Sequence, residues 1–120
     1  MDSKKKVLCV DDEMINLLIL KKILGKKYNI ITADHGQKAL DVLEKDSEIG
    51  LVISDMRMPE MTGLEFIREA NKKFKNIKYF MLSGYAITDE IQDAIDSNLI
   101  SRYFEKPADF DQIDKILQEN

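Results

Sequence analysis

The sequence has few cysteine and histidine residues, and each scarcity excludes a kind of site. Its single cysteine, Cys9, cannot form an intramolecular disulfide. Cys9 lies within the apolar run of residues 7–10, which favours a small buried side chain over a reactive thiol. The one histidine, His35, stands in a turn beside Gly36, so we expect no histidine base in a catalytic site. A chain without disulfides suits a reducing compartment, and we predict a cytoplasmic protein.

Long hydrophobic stretches and an excess of positive charge are also missing. No apolar run approaches the length of a transmembrane helix, and Lys4, Lys5 and Lys6 precede too short an apolar run for a signal peptide. The formal net charge is −4, which argues against nucleic acid as a direct partner because phosphate binding needs a basic surface. The lysines of residues 4–6, 26–27 and 72–75 look scattered, and we interpret them as solvated ends of strands and helices. We therefore predict neither a membrane partner nor a nucleic-acid partner.

Short apolar runs alternate with amphipathic segments along the whole sequence. Hydrophobic residues make up 44% and charged residues 33% of 120 residues, so we predict one globular domain over residues 1–120. Strands are predicted at residues 6–10, 28–33, 51–54, 78–82 and 101–104. Helices are predicted at residues 14–24, 37–45, 63–74 and 89–97, with a last helix that Asp109 or Asp111 can cap. This alternation predicts a three-layer α/β/α sandwich around a five-stranded parallel sheet.

The first predicted helix has the broadest apolar face. Its apolar residues are Met14, Ile15, Leu17, Leu18, Ile19, Leu20, Ile23 and Leu24. Gly25 follows them and is expected to end the helix.

The stretch of residues 51–63 organises the rest of the sequence. Its first four residues form a short, nearly continuous apolar run, which is typical of a buried parallel strand, and Asp55 follows directly. Pro59 disfavours helix at the residue before it, and Thr62 can cap a helix that begins near Gly63. We therefore expect Asp55 to project from the end of a strand into a loop, neither buried nor freely solvated.

Polar residues follow four of the predicted strands. They are Asp11 and Asp12 after the first, Asp55 after the third, Ser83 after the fourth and Lys106 after the fifth. In a parallel sheet these positions share one edge, so the side chains are expected to converge. Three carboxylates held together raise one another's pKa, and a divalent cation removes that repulsion. Because Mg²⁺ selects a few hard oxygen ligands and keeps some water, we predict a Mg²⁺ site at Asp11, Asp12 and Asp55.

Lys106 and Ser83 would complete a site for a phosphoryl group. Lys106 supplies a compact positive charge, and the Ser83 hydroxyl can donate to another oxygen. Asp55 then has the environment of a nucleophile that forms an aspartyl phosphate, with the metal and the lysine stabilising the transferring group.

These motifs, in this order, resemble the receiver domain of two-component response regulators. They are Asp11-Asp12, Asp55 with Met58-Pro59 and Gly63, Ser83-Gly84, and Lys106-Pro107. The resemblance covers essentially the whole chain without an insertion. It implies the flavodoxin-like strand order 2-1-3-4-5.

The resemblance implies a role for each residue of the site. Asp55 would be the phosphoacceptor, and Lys106 would bind the phosphoryl group. Asp11 and Asp12 would hold Mg²⁺, with the backbone carbonyl of Arg57 as a further ligand.

The resemblance also implies switch and tuning residues. Ser83 would be the switch hydroxyl that moves toward the phosphoryl group, and Tyr103 the aromatic residue that turns inward with it. The Lys106–Pro107 bond is expected to be cis. Arg57 and Tyr85 occupy positions that would control access of water to the phosphoryl group, and we expect these bulky side chains to slow its hydrolysis.

By the same resemblance, the protein is a signalling switch and not an enzyme acting on other substrates. A histidine kinase or histidine phosphotransfer protein would donate the phosphoryl group. The face of helix 4, strand 5 and helix 5 would then contact a downstream protein, a covalently linked output domain or a second copy of the chain. Candidate contact residues on that face are Ile91, Ile95, Leu99, Ile100 and Tyr103.

Three other functions are compatible with parts of the pattern. A Mg²⁺-dependent phosphatase of the haloacid-dehalogenase type also uses an aspartate after a strand, but Arg57 occupies the place of its second aspartate. A flavin-binding flavodoxin-like protein needs a glycine- and hydroxyl-rich loop after strand 1, which is acidic here. A receiver-shaped interaction module that never accepts phosphate is the third, and only a chemical test separates it from a switch.

Overall fold

Five strands alternate with five helices over residues 4–120, the part of the chain that this computed structural model describes. The strands are β1 (Lys6–Val10), β2 (Asn29–Ala33), β3 (Leu51–Ser54), β4 (Lys78–Ser83) and β5 (Arg102–Glu105). The helices are α1 (Met14–Leu24), α2 (Gly36–Lys45), α3 (Gly63–Lys73), α4 (Asp89–Asp96) and α5 (Phe110–Gln118). All neighbouring strands are parallel, in the order β2-β1-β3-β4-β5. The predicted sheet and its strand order are confirmed.

Side-chain caps define the helix ends. Thr62 and Glu65 form a capping box at the start of α3, each accepting a hydrogen bond from the other's backbone N–H. Asp109, and not Asp111, caps α5 by accepting a hydrogen bond from the backbone of its first turn. His35 is exposed and caps α2, its ring Nδ1 accepting a hydrogen bond from the backbone N–H of Lys38.

The sheet separates two cores. On one face, β-strand side chains pack against α1 and α5; on the other they pack against α2, α3 and α4. Successive residues of β1 alternate between the faces, with Val7 and Cys9 in the first core and Leu8 and Val10 in the second. Burial raises the pKa of the Cys9 thiol to about 12, so the side chain is an inert part of the core, as expected.

Helix α1 leaves much of its apolar face uncovered. Only Leu17, Leu20 and Leu24 are buried, because the sheet covers a single stripe of a surface helix. The remaining apolar side chains are 41% to 70% exposed, and we call them the α1 apolar face: Met14, Ile15, Leu18, Ile19 and Ile23. Even so, no helix among residues 4–120 is long and apolar enough to cross a membrane.

The face of α4, β5 and α5 offers less apolar surface than the sequence analysis expected. Ile91 and Ile100 belong to the core and are 2% and 1% exposed, because the packing of α4 on the sheet covers them. Only Ile95, Leu99 and Tyr103 remain partly accessible. The assignment of Ile91 and Ile100 as partner-contact residues is therefore wrong.

Candidate functional site

The carboxyl edge of the sheet brings three carboxylates together. Oxygens of Asp11, Asp12 and Asp55 lie within 4.8 Å of one another. The backbone N–H of Asp55 donates to the carbonyl of Val10 at 2.9 Å, so the hydrogen-bond ladder continues one residue past β3 and positions the carboxylate. Asp12 is exposed, whereas Asp11 and Asp55 are only 2% and 7% exposed. The expectation that Asp55 is not buried was wrong, because the loop after β3 folds over it.

That loop holds Asp55 through its backbone. Oδ1 of Asp55 accepts a hydrogen bond from the N–H of Met56 at 2.8 Å. The carbonyl of Met56 in turn accepts from the N–H of Gly63 at 2.7 Å. A Cβ at Gly63 would lie 1.9 Å from the carbonyl oxygen of Asp55, so this close approach requires glycine.

Asp11 is held by three donors. Its Oδ1 accepts from the backbone N–H of Glu13 at 3.0 Å, and its Oδ2 accepts from Asn16 Nδ2 at 3.2 Å. Lys106 Nζ lies 3.3 Å from the same Oδ2. Asn16 is a site residue that sequence analysis missed. The available signal was a lone amide side chain in the first turns of an otherwise apolar helix.

Lys106 connects the two buried carboxylates. Its Nζ lies 3.5 Å from Asp55 Oδ2 in addition to its contact with Asp11. The backbone N–H of Lys106 donates to the carbonyl of Ser83 at 2.9 Å, which ties the β5–α5 loop to the end of β4. The Lys106–Pro107 peptide bond is cis, as the resemblance implied.

Negative charge exceeds positive charge in this site. Burial, reinforced by the charge of Asp11, raises the pKa of Asp55 above its ordinary value even though Lys106 is close. Burial alone would lower the pKa of Lys106, but the charges of Asp55 and Asp11 outweigh it and raise that pKa. Three convergent carboxylate oxygens, one of them from an exposed residue, are a hard donor set that fits Mg²⁺.

Within residues 4–120, the side chains of Ser83 and Tyr103 form hydrogen bonds with Tyr85 and none with the acidic cluster of Asp11, Asp12 and Asp55. Ser83 is fully buried, and its Oγ accepts a hydrogen bond from the backbone N–H of Tyr85 at 3.3 Å. The hydroxyl of Tyr103 donates to the backbone carbonyl of Tyr85. Both side chains are therefore attached to one residue of the β4–α4 loop.

Arg57 and Tyr85 contact each other beside the acidic cluster. The guanidinium carbon of Arg57 lies 3.8 Å from the centroid of the Tyr85 ring, a cation–π contact between the β3–α3 and β4–α4 loops. The two side chains line a cavity of about 510 Å³ that Asp12 also lines. The sequence placed each residue near the site, but their contact was visible only in the structure.

Known proteins share both this sequence pattern and this fold. Residues 7–118 match the family model described as "Response regulator receiver domain". Sporulation initiation phosphotransferase F of Bacillus subtilis (strain 168) is 31% identical over 110 residues, which cover 91% of this chain and 87% of that protein. The crystal structure of response regulator protein TrrA from Thermotoga maritima in complex with Mg(2+)-BeF has a TM-score of 0.83 and 32% identity, and the match covers 96% of this chain and 97% of that one.

Other relatives are much longer than this chain. Transcriptional regulatory protein ZraR of Klebsiella oxytoca is 32% identical over 114 residues, which cover 94% of this chain but 25% of that protein. The same unit thus makes up most of one relative and a quarter of another. Since a single family model matches residues 7–118 and the strand order agrees with it, the chain belongs to the response regulator receiver domain family.

Proposed function

We propose that this receiver domain is a phosphorylation-controlled signalling switch in which Asp55 accepts the phosphoryl group. The observation that carries the proposal is the pair of buried carboxylates of Asp11 and Asp55 beside the partly buried Lys106, with Lys106 Nζ 3.5 Å from Asp55 Oδ2. A buried carboxylate with a raised pKa, one cationic partner and a second carboxylate close by is the electrostatic pattern of a functional site.

The chemistry is a transfer from a phosphorylated histidine. A carboxylate oxygen of Asp55 forms a bond to phosphorus while the bond between phosphorus and the donor's imidazole nitrogen breaks, and the imidazole leaves. Lys106 binds the phosphoryl oxygens and offsets their charge. A Mg²⁺ ion bound by Asp11, Asp12, Asp55 and the Arg57 carbonyl would neutralise the remaining negative charge.

Phosphorylation would act on the β4–α4 loop. The new charge attracts the Ser83 hydroxyl, which then donates to a phosphoryl oxygen and leaves the backbone N–H of Tyr85. Tyr103 is bonded to the carbonyl of the same Tyr85, so a movement of this residue changes the contacts of both side chains. The active conformation is a minor population that phosphorylation enlarges, and it alters the face of α4, β5 and α5.

The proposed partners fall on two surfaces. A histidine kinase or histidine phosphotransfer protein donates to Asp55, and the exposed α1 apolar face lies next to the site because α1 begins three residues after Asp11. A downstream protein, a linked output domain or a second copy contacts the face of α4, β5 and α5. We propose that the whole of residues 1–120 is one such domain, that it works in the cytoplasm and that it catalyses only its own phosphorylation and dephosphorylation.

The decisive experiment is phosphorylation with acetyl phosphate and Mg²⁺, followed by intact-mass measurement. We expect the addition of one phosphoryl group, its absence when EDTA is present and its loss in Asp55→Asn. Asp34→Asn is the matched control, because Asp34 follows β2 at the same edge of the sheet but its side chain is 49% exposed. An adduct that persists in Asp55→Asn, or no adduct with any phosphodonor, contradicts the proposal. The second result would instead favour an interaction module that never accepts phosphate.

A second prediction concerns the lifetime of the phosphoryl group. Arg57 and Tyr85 contact each other and line a cavity that Asp12 also lines, so replacing both with alanine should admit water and speed phosphate loss several-fold. Because the side chains contact each other, each single substitution should give most of the effect of the double one. The measurement is decay of the intact-mass adduct, with Arg68→Ala as an exposed control. An unchanged rate in the double variant removes the hypothesis.

A further inference from the structure

A cavity lined by lysines lies at the amino edge of the sheet, opposite the acidic cluster. It has a volume of about 950 Å³ and is formed by the start of β1, the end of α1 and the α1–β2 loop. We call it the amino-edge cavity. Its lysines are Lys4, Lys5, Lys6, Lys21, Lys22 and Lys26. Along the sequence the lysines of residues 4–6 and 26–27 look scattered, but the fold brings four of these five residues around one concave surface.

Carboxylates neutralise little of this charge. Glu48 is the only acidic residue among those that line the cavity, and Lys6 is paired both with it and with Asp46, each at 2.9 Å. Lys21, Lys22 and Lys26 make no ion pair with any residue in the described range 4–120. The cavity is therefore strongly positive in a chain whose formal net charge is −4.

Helix ends explain only part of this arrangement. Lysines in a last helical turn are favoured by the helix dipole, which accounts for Lys21 and Lys22. Helices α2 and α3 also carry lysines in their last turns, and none of those lysines lines this cavity. What distinguishes α1 is that Lys4, Lys5 and Lys6 approach its end from the neighbouring strand.

We propose that the amino-edge cavity binds a small polyphosphate anion, a chain of two or three phosphates either free or carried by a nucleoside. Ammonium groups are compact charges that suit phosphate oxygens, and several around one concavity can neutralise several phosphates at once. The cavity is open to solvent but limited to about 950 Å³, a size that suits such a small ligand, whereas a nucleic-acid backbone or a bilayer needs an extended surface. Asn29, which is exposed, also lines the cavity and provides polar surface for a nucleoside, whereas Tyr28 and Ile30 line it with only 4% and 6% of their surface exposed.

This site is independent of phosphorylation. The five residues of β1 separate the two edges of the sheet, a distance of roughly 16 Å. Ligand binding at the amino edge therefore needs neither Asp55 nor a metal ion, and it goes beyond the signalling function proposed above.

Titrations of the ¹⁵N-labelled protein in EDTA, followed by backbone amide shifts, test the proposal. The probes are sodium triphosphate, ATP and inorganic phosphate. We expect saturable shifts in residues 4–6 and 21–30, and tighter binding of triphosphate than of phosphate. Equal affinity for triphosphate and ATP indicates that the cavity recognises the phosphate chain alone, whereas tighter binding of ATP indicates that it also recognises the nucleoside.

Two triple variants make the test specific. Lys21→Gln with Lys22→Gln and Lys26→Gln should weaken triphosphate binding at least about tenfold, since each removes a screened charge contact. The matched control replaces Lys45, Lys73 and Lys75, which have the same charge and lie at or just after other helix ends but outside the cavity. The control and Asp55→Asn should bind as the unmodified protein does. No saturable shifts, equal weakening by both triple variants, or tighter binding of an RNA duplex or anionic vesicles would overturn the proposal.

Discussion

Charged side chains differ in burial and in pairing between the two edges of the sheet. At the carboxyl edge, Asp11 and Asp55 are buried beside each other, and Lys106 is the one basic side chain paired with them within residues 4–120. Near the amino edge, ion pairs are more exposed, as in Lys27–Asp114 at 2.7 Å, where the lysine side chain is 61% exposed. The pKa of Asp55 is raised by burial and by Asp11, whereas the pKa of Asp114 is lowered by its hydrogen bonds to Lys27 and Tyr28.

This difference separates stabilising charges from functional ones. An acid whose pKa is lowered by folding contributes stability at neutral pH, and an acid whose pKa is raised reduces it. The carboxyl edge therefore holds one charge that the fold alone disfavours, that of Asp55, and Asp55 is the residue proposed to accept the phosphoryl group. Paired substitutions, one at each edge, can test this contrast.

The largest contrast is expected between two glycines. Gly63→Ala places a Cβ 1.9 Å from the carbonyl oxygen of Asp55, so the backbone of the β3–α3 loop must move. We expect a loss of about 3 kcal/mol in the free energy of unfolding. Gly50 precedes β3 at the amino edge, where an added Cβ meets nothing within 4 Å, and Gly50→Ala should change stability little. Urea unfolding followed by circular dichroism measures both, and equal losses would show that the two edges are packed alike.

A smaller contrast is expected between two lysines. Lys106→Met leaves two buried carboxylates without their cation, and we expect a loss of about 2 kcal/mol in EDTA at neutral pH. Lys27→Met breaks a pair in which the lysine is 61% exposed, so its loss should be under about 1 kcal/mol. Added Mg²⁺ should stabilise every variant that keeps the three carboxylates, so the deficit relative to the unmodified protein should shrink for Lys106→Met and stay the same for Lys27→Met. A Lys106→Met protein as stable as Lys27→Met would mean that the buried cluster needs no cation.

Local sequence patterns predicted the fold because they act over a few residues. The apolar run of β3 and the Thr62 cap of α3 appear where the sequence placed them, since burial of a strand and capping of a helix depend on near neighbours. Strand ends differ by a residue where hydrogen bonds to neighbouring strands decide them, as in β5, which begins at Arg102. The polar residues that follow the strands also predicted where in the fold the acidic cluster lies.

Contacts between distant loops could not be predicted in this way. The burial of Asp55, the Arg57–Tyr85 contact and the hydrogen bond from Asn16 depend on how separate loops and helices pack. The convergence of lysines at the amino edge has the same origin, because Lys4 and Lys26 meet only when β1 lies beside the end of α1. Sequence order shows which residues reach an edge, but tertiary packing decides which of them touch.

The smallest difference in stability is expected between two Asp→Asn substitutions. One should raise the free energy of unfolding and the other should lower it. Asp55→Asn removes a charge whose pKa folding raises, so it should stabilise the metal-free protein at neutral pH, on the order of 1 kcal/mol. As pH falls below the ordinary carboxyl value of 3.8, Asp55 is protonated in both folded and unfolded states, and this gain should vanish. Asp114→Asn removes a charge whose pKa folding lowers, so it should destabilise at neutral pH by at most about 1 kcal/mol. That deficit should also vanish, as pH falls through the lowered pKa of the folded state. Urea unfolding across this pH range measures the stability of both variants as a function of pH. If both substitutions lower stability at neutral pH, the carboxyl edge is no more strained electrostatically than the amino edge.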